Sequence, residues 1–379
     1  MRAMANSSPN VAVLFGGPSP EHDVSILTGL QAARALVRSG RAASVQLLYW
    51  SKSAAWFEVA AEVEAAAFLD GPPAGSQPVR LEIGPEGGFT ARRGRLAARF
   101  EPLGIDVALV CCHGGPGEDG ALQGALDLAG VAYTGPSAAS AALGMDKLAS
   151  FSVPAAAGLP TLPRRLLHEG SKEPDFAGPY IVKPRFGGSS IGIEVVADFP
   201  TALARLGANV HLRRGAVLEP YRPALFDLQV AARSWPELQL SAIERPLRGG
   251  STNEILGYAD KYVGGEGMSA APRELPAALP AGLEVELRSV AREAAVLLGV
   301  RGVGRIDFLS DGESVYLNEV NTIPGSLSRH LFVDPPLAFD ELLTGLLAEA
   351  LERPAAHFSS AGADGVVLRD AGSISRKLT

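Results

Sequence analysis

Arg305, Asp307, Glu319 and Asn321 sit on or just beyond two strand-forming runs, Arg305–Leu309 and Ser314–Glu319, which flank a turn at Ser310-Asp311-Gly312. Side chains alternate sides along a strand, so Arg305, Asp307 and Leu309 share one face, and Glu319 shares a face with Asn321. Three oxygen-bearing side chains and one guanidinium are therefore expected to converge close to Gly325. Hard oxygen donors without His or Cys suit Mg²⁺, and Mg²⁺ beside an arginine suits phosphate. The chemistry expected of this cluster is the handling of a Mg–nucleotide. Solvated polar residues at strand ends are the plainer reading, and they do not account for the shared faces.

Other positions gain meaning from their order. Lys183 ends an apolar run and precedes Phe186-Gly187-Gly188-Ser189-Ser190-Ile191-Gly192. Free backbone N–H groups in such a loop can fold over phosphates while the lysine supplies a point charge. This is not a P-loop, because no Gly-Lys-Ser/Thr opens a helix. Lys147 follows a helical stretch, and Lys261 lies in a Gly-rich loop beside Tyr262; alone, each reads equally as a solvated lysine. Glu219, at a strand end, is either an acceptor for an adenine amino group or a surface charge. His113 opens the Gly-rich run that carries Glu118 and Asp119, where it is either structural or ligand-binding. Asp23, at the N-terminus of the first helix, either caps it or anchors an ammonium.

The elements that must position these residues follow from periodicity. Val11–Phe15 reads as a short buried strand, Gly16–Asp23 as a loop, Val24–Ser39 as a helix and Val45–Trp50 as the next strand. This βαβ start predicts a parallel sheet with a ligand near the first loop. Residues 58–100 are Ala/Gly-rich and weakly patterned, which predicts an irregular excursion. Val107–Cys112 is a buried strand, followed by a helix over Ala121–Ala129. A second unit has a helix ending near Lys147 and strands at Leu159–Pro163, Tyr180–Lys183, Ile193–Val196 and Ala216–Glu219. A third has strands at Asp227–Ala232 and Gln239–Glu244, a loop over 257–275, and helices at Leu283–Leu298 and Phe339–Glu352. The division expected is α/β (α+β) in three domains, 1–137, 138–220 and 221–353, with a disordered tail over 354–379.

Composition bounds the rest. The chain has 379 residues, 47% hydrophobic and 20% charged, enough for several packed cores. A net charge of −7 without a basic run argues against nucleic acid as a partner. No apolar stretch approaches the ~20 residues of a membrane span, and the N-terminus lacks a signal-peptide core. The two cysteines, Cys111 and Cys112, are adjacent and point to opposite faces of a strand, so a reduced, cytoplasmic setting is expected.

The ordered set resembles the D-alanine–D-alanine ligase family of the ATP-grasp superfamily, from Val11 to about Glu352. The pieces are Phe-Gly-Gly-Pro-Ser-Pro-Glu-His-Asp-Val-Ser (15–25), His-Gly-Gly-Pro-Gly-Glu-Asp-Gly-Ala-Leu-Gln-Gly (113–124), Tyr-Thr-Gly-Pro (133–136) and Met-Asp-Lys (145–147). Val-Lys-Pro-Arg-Phe-Gly-Gly-Ser-Ser-Ile-Gly (182–192), Tyr-Ala-Asp-Lys-Tyr (258–262), Gly-Arg-Ile-Asp (304–307) and Asn-Glu-Val-Asn-Thr-Ile-Pro-Gly (318–325) complete it.

The resemblance implies an ATP-grasp architecture sandwiching ATP, and ligation of two D-alanines through an acyl phosphate for peptidoglycan synthesis. ATP and two Mg²⁺ ions, with Mn²⁺ as the alternative, would be its cofactors, and a homodimer its assembly. It assigns Lys147, Lys183, Gly187, Gly188 and Ser189 to ATP phosphates, Glu219 to the adenine edge, Asp227 to the ribose, and Asp307, Glu319 and Asn321 to the metals. Asp23 falls to the first substrate's ammonium, with Ser189 and Tyr262 as its partners in closing the loop. Lys261 and Arg305 face the reacting phosphate and carboxylates, with the Gly325 N–H at the oxyanion. The family commonly carries Glu where Asp23 is expected to act. Near position 330 it commonly carries Ser for the second substrate's carboxylate, so here Ser328 or His330 must serve. The second substrate is therefore D-alanine, D-lactate, D-serine or another nucleophile.

Overall fold

A computed structural model describes residues 8–94, 99–247, 272–356 and 358–371. Three sheets organise the chain, one after another in sequence. The first holds β1 (Asn10–Gly16), β2 (Ser44–Trp50), β3 (Trp56–Val59), β4 (Gln77–Glu82), β5 (Gly88–Arg93), β6 (Arg99–Pro102), β7 (Val107–Val110) and β8 (Ala132–Tyr133). Their spatial order is β6-β5-β4-β3-β2-β1-β7-β8. The β2, β1, β7 and β8 strands run parallel, as the opening βαβ pattern predicts.

Residues 58–100 are not irregular. They extend the sheet by antiparallel strands out to β6. Few apolar side chains turn inward, Val59 on β3, Val79 on β4 and Phe89 and Ala91 on β5, and β6 buries none. An alternation that short does not separate from loop sequence.

The helix His22–Ser39 begins two residues earlier than its pattern suggests and packs on β1. A Cβ on its Gly29 would lie 2.5 Å from the Phe15 Cβ, so helix and strand approach as closely as glycine permits. The last helix, Phe339–Glu352, lies against the first sheet as well. Its Leu342, Leu343, Leu346 and Leu347 join one core with Val11–Phe15 and Val107–Cys112, so the chain's end closes on its beginning.

The second sheet is antiparallel, β11-β10-β12-β9, from β9 (Arg165–Leu167), β10 (Tyr180–Pro184), β11 (Glu194–Val196) and β12 (Ala216–Pro220). No strand forms at Leu159–Pro163, where only Thr161 makes an isolated bridge, to Leu317. Prolines at 160 and 163 remove the donors a ladder needs. The helix expected to end near Lys147 spans Ala138–Met145, and a second helix, Lys147–Ala156, follows it at once. They part at Asp146, whose carboxylate accepts the N–H groups of Leu148 and Ala149 and caps the second helix.

The third sheet, β15-β14-β13-β16-β17, is built from β13 (Phe226–Arg233), β14 (Gln239–Pro246), β15 (Arg273–Glu274), β16 (Val303–Ser310) and β17 (Val315–Asn321). One face carries Leu228, Val230, Ile306, Phe308 and Val320 against the helix Ala281–Leu297. The other face is polar. In the tail, Val366–Ala371 forms a short helix. Among the described residues no helix is long and apolar enough to cross a membrane, and Cys111 and Cys112 are free and buried.

Candidate active site

Strand register builds the floor of the site. Glu244, Gln229, Asp307 and Glu319 are successive partners across β14, β13, β16 and β17 and so form one row. Arg305 and Asn321 are paired one rung along. The Arg305 guanidinium grips the Asp307 carboxylate with two bonds, Nε to Oδ1 at 2.7 Å and Nη2 to Oδ2 at 2.8 Å, and the Asn321 amide donates to the same Oδ2 at 3.0 Å. Asp227 lies two residues before Gln229 on the same face of β13, paired with Leu309.

Lys147, the first residue of its helix, reaches the floor from another side. Its Nζ donates to the Gly187 carbonyl at 2.6 Å and pairs with Glu319 at 3.4 Å. Lys183 ends β10 and is buried. It pairs with Glu219 of β12 at 2.9 Å and donates to Asn318 at 3.3 Å. Burial pushes its ammonium down more strongly than Glu219 pulls it up, and Arg164 pushes it the same way. Burial works upward on Glu219, but Arg164 and Lys183 together hold its carboxyl below the ordinary range. Both Glu219 oxygens are engaged, Oε1 with Arg164 at 2.8 Å and Oε2 with Lys183. The carboxylate expected to meet an adenine amino group is instead the buried counter-ion of two cations. A buried pair of this kind is costly to break from one side.

The loop after Lys183 is fixed at its base. Arg185 grips Asp146, Nε to Oδ1 at 2.8 Å and Nη2 to Oδ2 at 2.5 Å, and the Lys147 N–H donates to the Arg185 carbonyl. Ser189 and Ser190 then both take left-handed backbone with φ of 53° and 58°. For L residues such backbone is strained and is found where surrounding structure imposes it. The Ser189 hydroxyl donates to the Glu21 carboxylate of the first sheet's loop. A cavity of about 150 Å³ opens beside Glu21, lined among others by Gly115, Met145, Gly187 and Gly188.

Asp23 is not in this site. Its side chain is 75% exposed, 3.5 Å from Lys52. Two residues along a helix turn about 200°, so Glu21 at the N-cap and Asp23 in the first turn leave on opposite sides. The buried neighbours His22, Ser25 and Ile26 mark the inner side, and exposed Leu27, one turn on, marks the outer one. That pattern was the available signal.

His113 is buried and wholly occupied. Its Nδ1 lies 2.7 Å from the Ile323 carbonyl and must donate, which leaves Nε2 to accept from the Thr28 hydroxyl at 2.8 Å. Thr28 in turn accepts the Ser326 N–H at 3.0 Å. Burial lowers the His113 pKa, as a neutral ring bridging a carbonyl and a hydroxyl requires.

Glu118, not singled out as a site residue by sequence reasoning, completes the clamp. Its carboxyl accepts the Gly114 N–H at 2.9 Å, the Ile323 N–H at 2.9 Å and the Thr322 hydroxyl at 3.2 Å. Burial and the nearby Glu21 charge push it up to about 7. The backbone on both sides of Gly325 is thus held by side chains from the helices and loops that surround the first sheet. Glu118→Ala is expected to cost about 2–4 kcal/mol of folding stability, because it strands two buried N–H groups. Urea unfolding measures this, and a loss below about 0.5 kcal/mol would show that the clamp carries no weight.

Of the two residues expected near the second substrate, Ser328 is fully buried, and its Oγ has no hydrogen-bond partner among the described residues. His330 is partly exposed, with Nε2 3.4 Å from Glu244. Lys261, Tyr262 and most of the loop expected over 257–275 lie outside the described residues.

Among the described residues no three His, Cys, Asp or Glu side chains stand as a preformed metal cluster. The donors nevertheless fit a hard cation. Asp307 and Glu319 face each other across strands with Asn321 beside them, and both carboxylates are now met by side-chain cations, Arg305 and Lys147.

The arrangement can therefore hold a small zwitterion near Glu21, phosphates near Lys147 and Lys183, and a divalent cation on the floor. Comparison with known proteins places it. The family pattern described as the D-ala D-ala ligase N-terminus matches residues 10–136, and that of the D-ala D-ala ligase C-terminus matches residues 165–346. The chain belongs to the D-alanine–D-alanine ligase family. Among its relatives, the D-alanine–D-alanine ligase of Sodalis glossinidius is 32% identical over 93% of this chain and 98% of that protein. The D-alanine–D-alanine ligase of a Bradyrhizobium strain is 31% identical over the same shares.

Solved ligases of the family share the fold at lower identity. The D-alanyl-alanine synthetase A of Vibrio cholerae superposes with a TM-score of 0.74 at 24% identity, covering 92% of this chain and all of that one. The VanG D-Ala:D-Ser ligase of Enterococcus faecalis superposes with a TM-score of 0.72 at 23% identity, over 91% of this chain and all of that one. The family and the mixed α/β architecture expected from the motifs are those found.

Proposed function

We propose that this chain is an ATP-dependent ligase that joins two D-alanine molecules to D-alanyl-D-alanine, for peptidoglycan precursors made in the cytoplasm. The observation that carries the proposal is the meeting of three sheets at one place. Glu21 of the first touches Ser189 of the second, and Lys147, bound to the second sheet's Gly187, touches Glu319 of the third. The names of the relatives supply the substrate.

In this reading Glu21 holds the ammonium of the first D-alanine, and Ser189 fixes the carboxylate of Glu21. The substrate carboxylate attacks the γ-phosphorus of ATP and ADP leaves, giving an acyl phosphate. Lys147 and Lys183 stand where phosphate charge must be matched, and Arg305 faces the transferring group. Asp307, Glu319 and Asn321 would hold Mg²⁺, which would neutralise phosphate charge. The second amine then attacks the acyl carbon, phosphate leaves, and the Gly325 N–H and Arg305 meet the oxyanion. The clamp of His113 and Glu118 on Ile323 fixes the backbone that presents Gly325.

ADP release tests the proposal. D-alanine is expected to stimulate it strongly in the presence of Mg²⁺, with D-alanyl-D-alanine as product. Release driven by another acceptor but not by a second D-alanine would replace the substrate while keeping the machinery. A specific observation favours testing D-serine and D-lactate as acceptors: Ser328 is buried and His330 is paired to Glu244.

A further inference from the structure

Glu21 and Gly325 lie far apart in the chain, and three hydroxyls join them through His113. At the Glu21 end the join is made twice, backbone to backbone. The Ser19 hydroxyl accepts the Glu21 N–H at 2.9 Å and donates to the His113 carbonyl at 2.7 Å. The Ser25 hydroxyl, near the start of the helix His22–Ser39, donates to the Glu21 carbonyl at 3.1 Å and accepts the His113 N–H at 2.8 Å. Both polar groups of the Glu21 backbone are thus tied to those of His113, each through one hydroxyl. A Cβ on Gly114 would collide with the Glu21 carboxylate, so the chain just past His113 passes as near that side chain as glycine permits.

At the Gly325 end the join runs through the His113 ring. Thr28 has one hydroxyl proton, which it gives to Nε2 at 2.8 Å, and its oxygen accepts the Ser326 N–H at 3.0 Å. Nδ1 donates to the Ile323 carbonyl at 2.7 Å. Gly325 therefore lies between two tied residues, Ile323 and Ser326. Ser326 has left-handed backbone with φ of 48°, which for an L residue the surroundings must impose, and the Thr28 bond holds its N–H. Ser25, Thr28 and His113 are all buried, so these bonds are shielded from solvent. Thr28 follows Glu21 by two helical turns and lies on the same side of the helix.

Resting on the ligase reading above, we infer that Ser19, Ser25 and Thr28 are positioning residues that set the span of the donor site, from the Glu21 carboxylate at the ammonium to the Gly325 N–H at the acyl carbon's oxygen. Each hydroxyl proton is spent inside this chain of bonds, and the three act through Glu21, His113 and Gly325. The span matters because a misplacement of about 1 Å between groups that act on one substrate can cost on the order of 10²-fold in rate.

Deleting the hydroxyls one at a time, with kinetics that separate the two D-alanine sites, tests this. Thr28→Val keeps the branched shape and loses the bond to Ser326. It is expected to lower kcat about tenfold with the donor and ATP KM within about twofold, because the Gly325 N–H meets a charge present only in the transition state. Thr28→Ser keeps the hydroxyl and is expected to return kcat to within about threefold of the parent. Ser19→Ala acts at the other end, on a contact made in ground and transition states alike, and is expected to raise the donor KM about fivefold with kcat within about twofold. A merely structural role would lower the thermal midpoint and leave the constants of the folded enzyme unmoved. Should Thr28→Val not fold, Ser19→Ala, in a partly exposed loop, carries the test through the donor KM alone.

Hydroxylamine in place of the acceptor captures the activated donor as D-alanine hydroxamate, with release of phosphate, and so checks the ligase reading by itself. Hydroxamate from the unaltered enzyme, with folded Thr28→Val unchanged in kcat and Ser19→Ala unchanged in donor KM, would overturn the inference and leave the ligase reading standing. Failure of Thr28→Ser to recover kcat would also overturn it. No hydroxamate from the unaltered enzyme would overturn both.

Discussion

Glu319→Gln is expected to lower kcat/KM about 10²–10³-fold and to raise the Mg²⁺ concentration needed for half-maximal rate. The substitution keeps shape and removes one charge from a floor whose carboxylates, Asp307 and Glu319, oppose each other across β16 and β17. Loss of a single preorganised electrostatic contact to a developing charge is worth about that factor. Glu319 is partly exposed, and its ion-pair partner Lys147 keeps the Gly187 carbonyl. Folding should therefore be little affected, and a thermal unfolding midpoint close to the parent's would show that the loss is chemical. Unchanged turnover at ordinary Mg²⁺ would place the metal elsewhere.

Glu21→Gln against Asp23→Asn separates two carboxylates two residues apart. Glu21→Gln is expected to reduce kcat/KM for D-alanine about 10–100-fold, the worth of a charge-assisted bond of about 1.5–3 kcal/mol to the substrate ammonium. Asp23→Asn is expected to stay within twofold, because Asp23 faces solvent and Lys52. Steady-state rates over a range of D-alanine concentrations give both values. Equal losses from the two substitutions, or a larger loss from Asp23→Asn, would move the ammonium site to the outer side of the helix.

The difference between these two residues shows where sequence reasoning stops. A motif fixes which residues are near one another but not which way each points. The helix's buried face had to choose between Glu21 and Asp23, and it begins one residue after Glu21. The floor was legible because alternation along two adjacent strands is local: Arg305, Asp307, Glu319 and Asn321 meet as their spacing predicts.

Glu244 was not legible in the same way. It joins the floor through the pairing of β14 with β13, and it meets His330 across 86 positions. Glu118 reaches Ile323 across 205 positions. Such contacts are set by how the sheets pack, which no local pattern encodes. Glu219 was found at the right strand end, but its role depended on Arg164, whose guanidinium arrives from a different segment to share it with Lys183. The antiparallel extension from β3 to β6 escaped because each strand offers at most two inward apolar residues.

In the proposed reaction this site activates a D-alanine carboxylate by phosphorylation before an amine attacks it. D-alanine labelled with ¹⁸O in both carboxylate oxygens tests it directly. Through an acyl phosphate, one carboxylate oxygen leaves with the phosphate, so each dipeptide formed should be matched by one inorganic phosphate carrying one ¹⁸O. Phosphate free of label, with dipeptide still accumulating, would contradict the account.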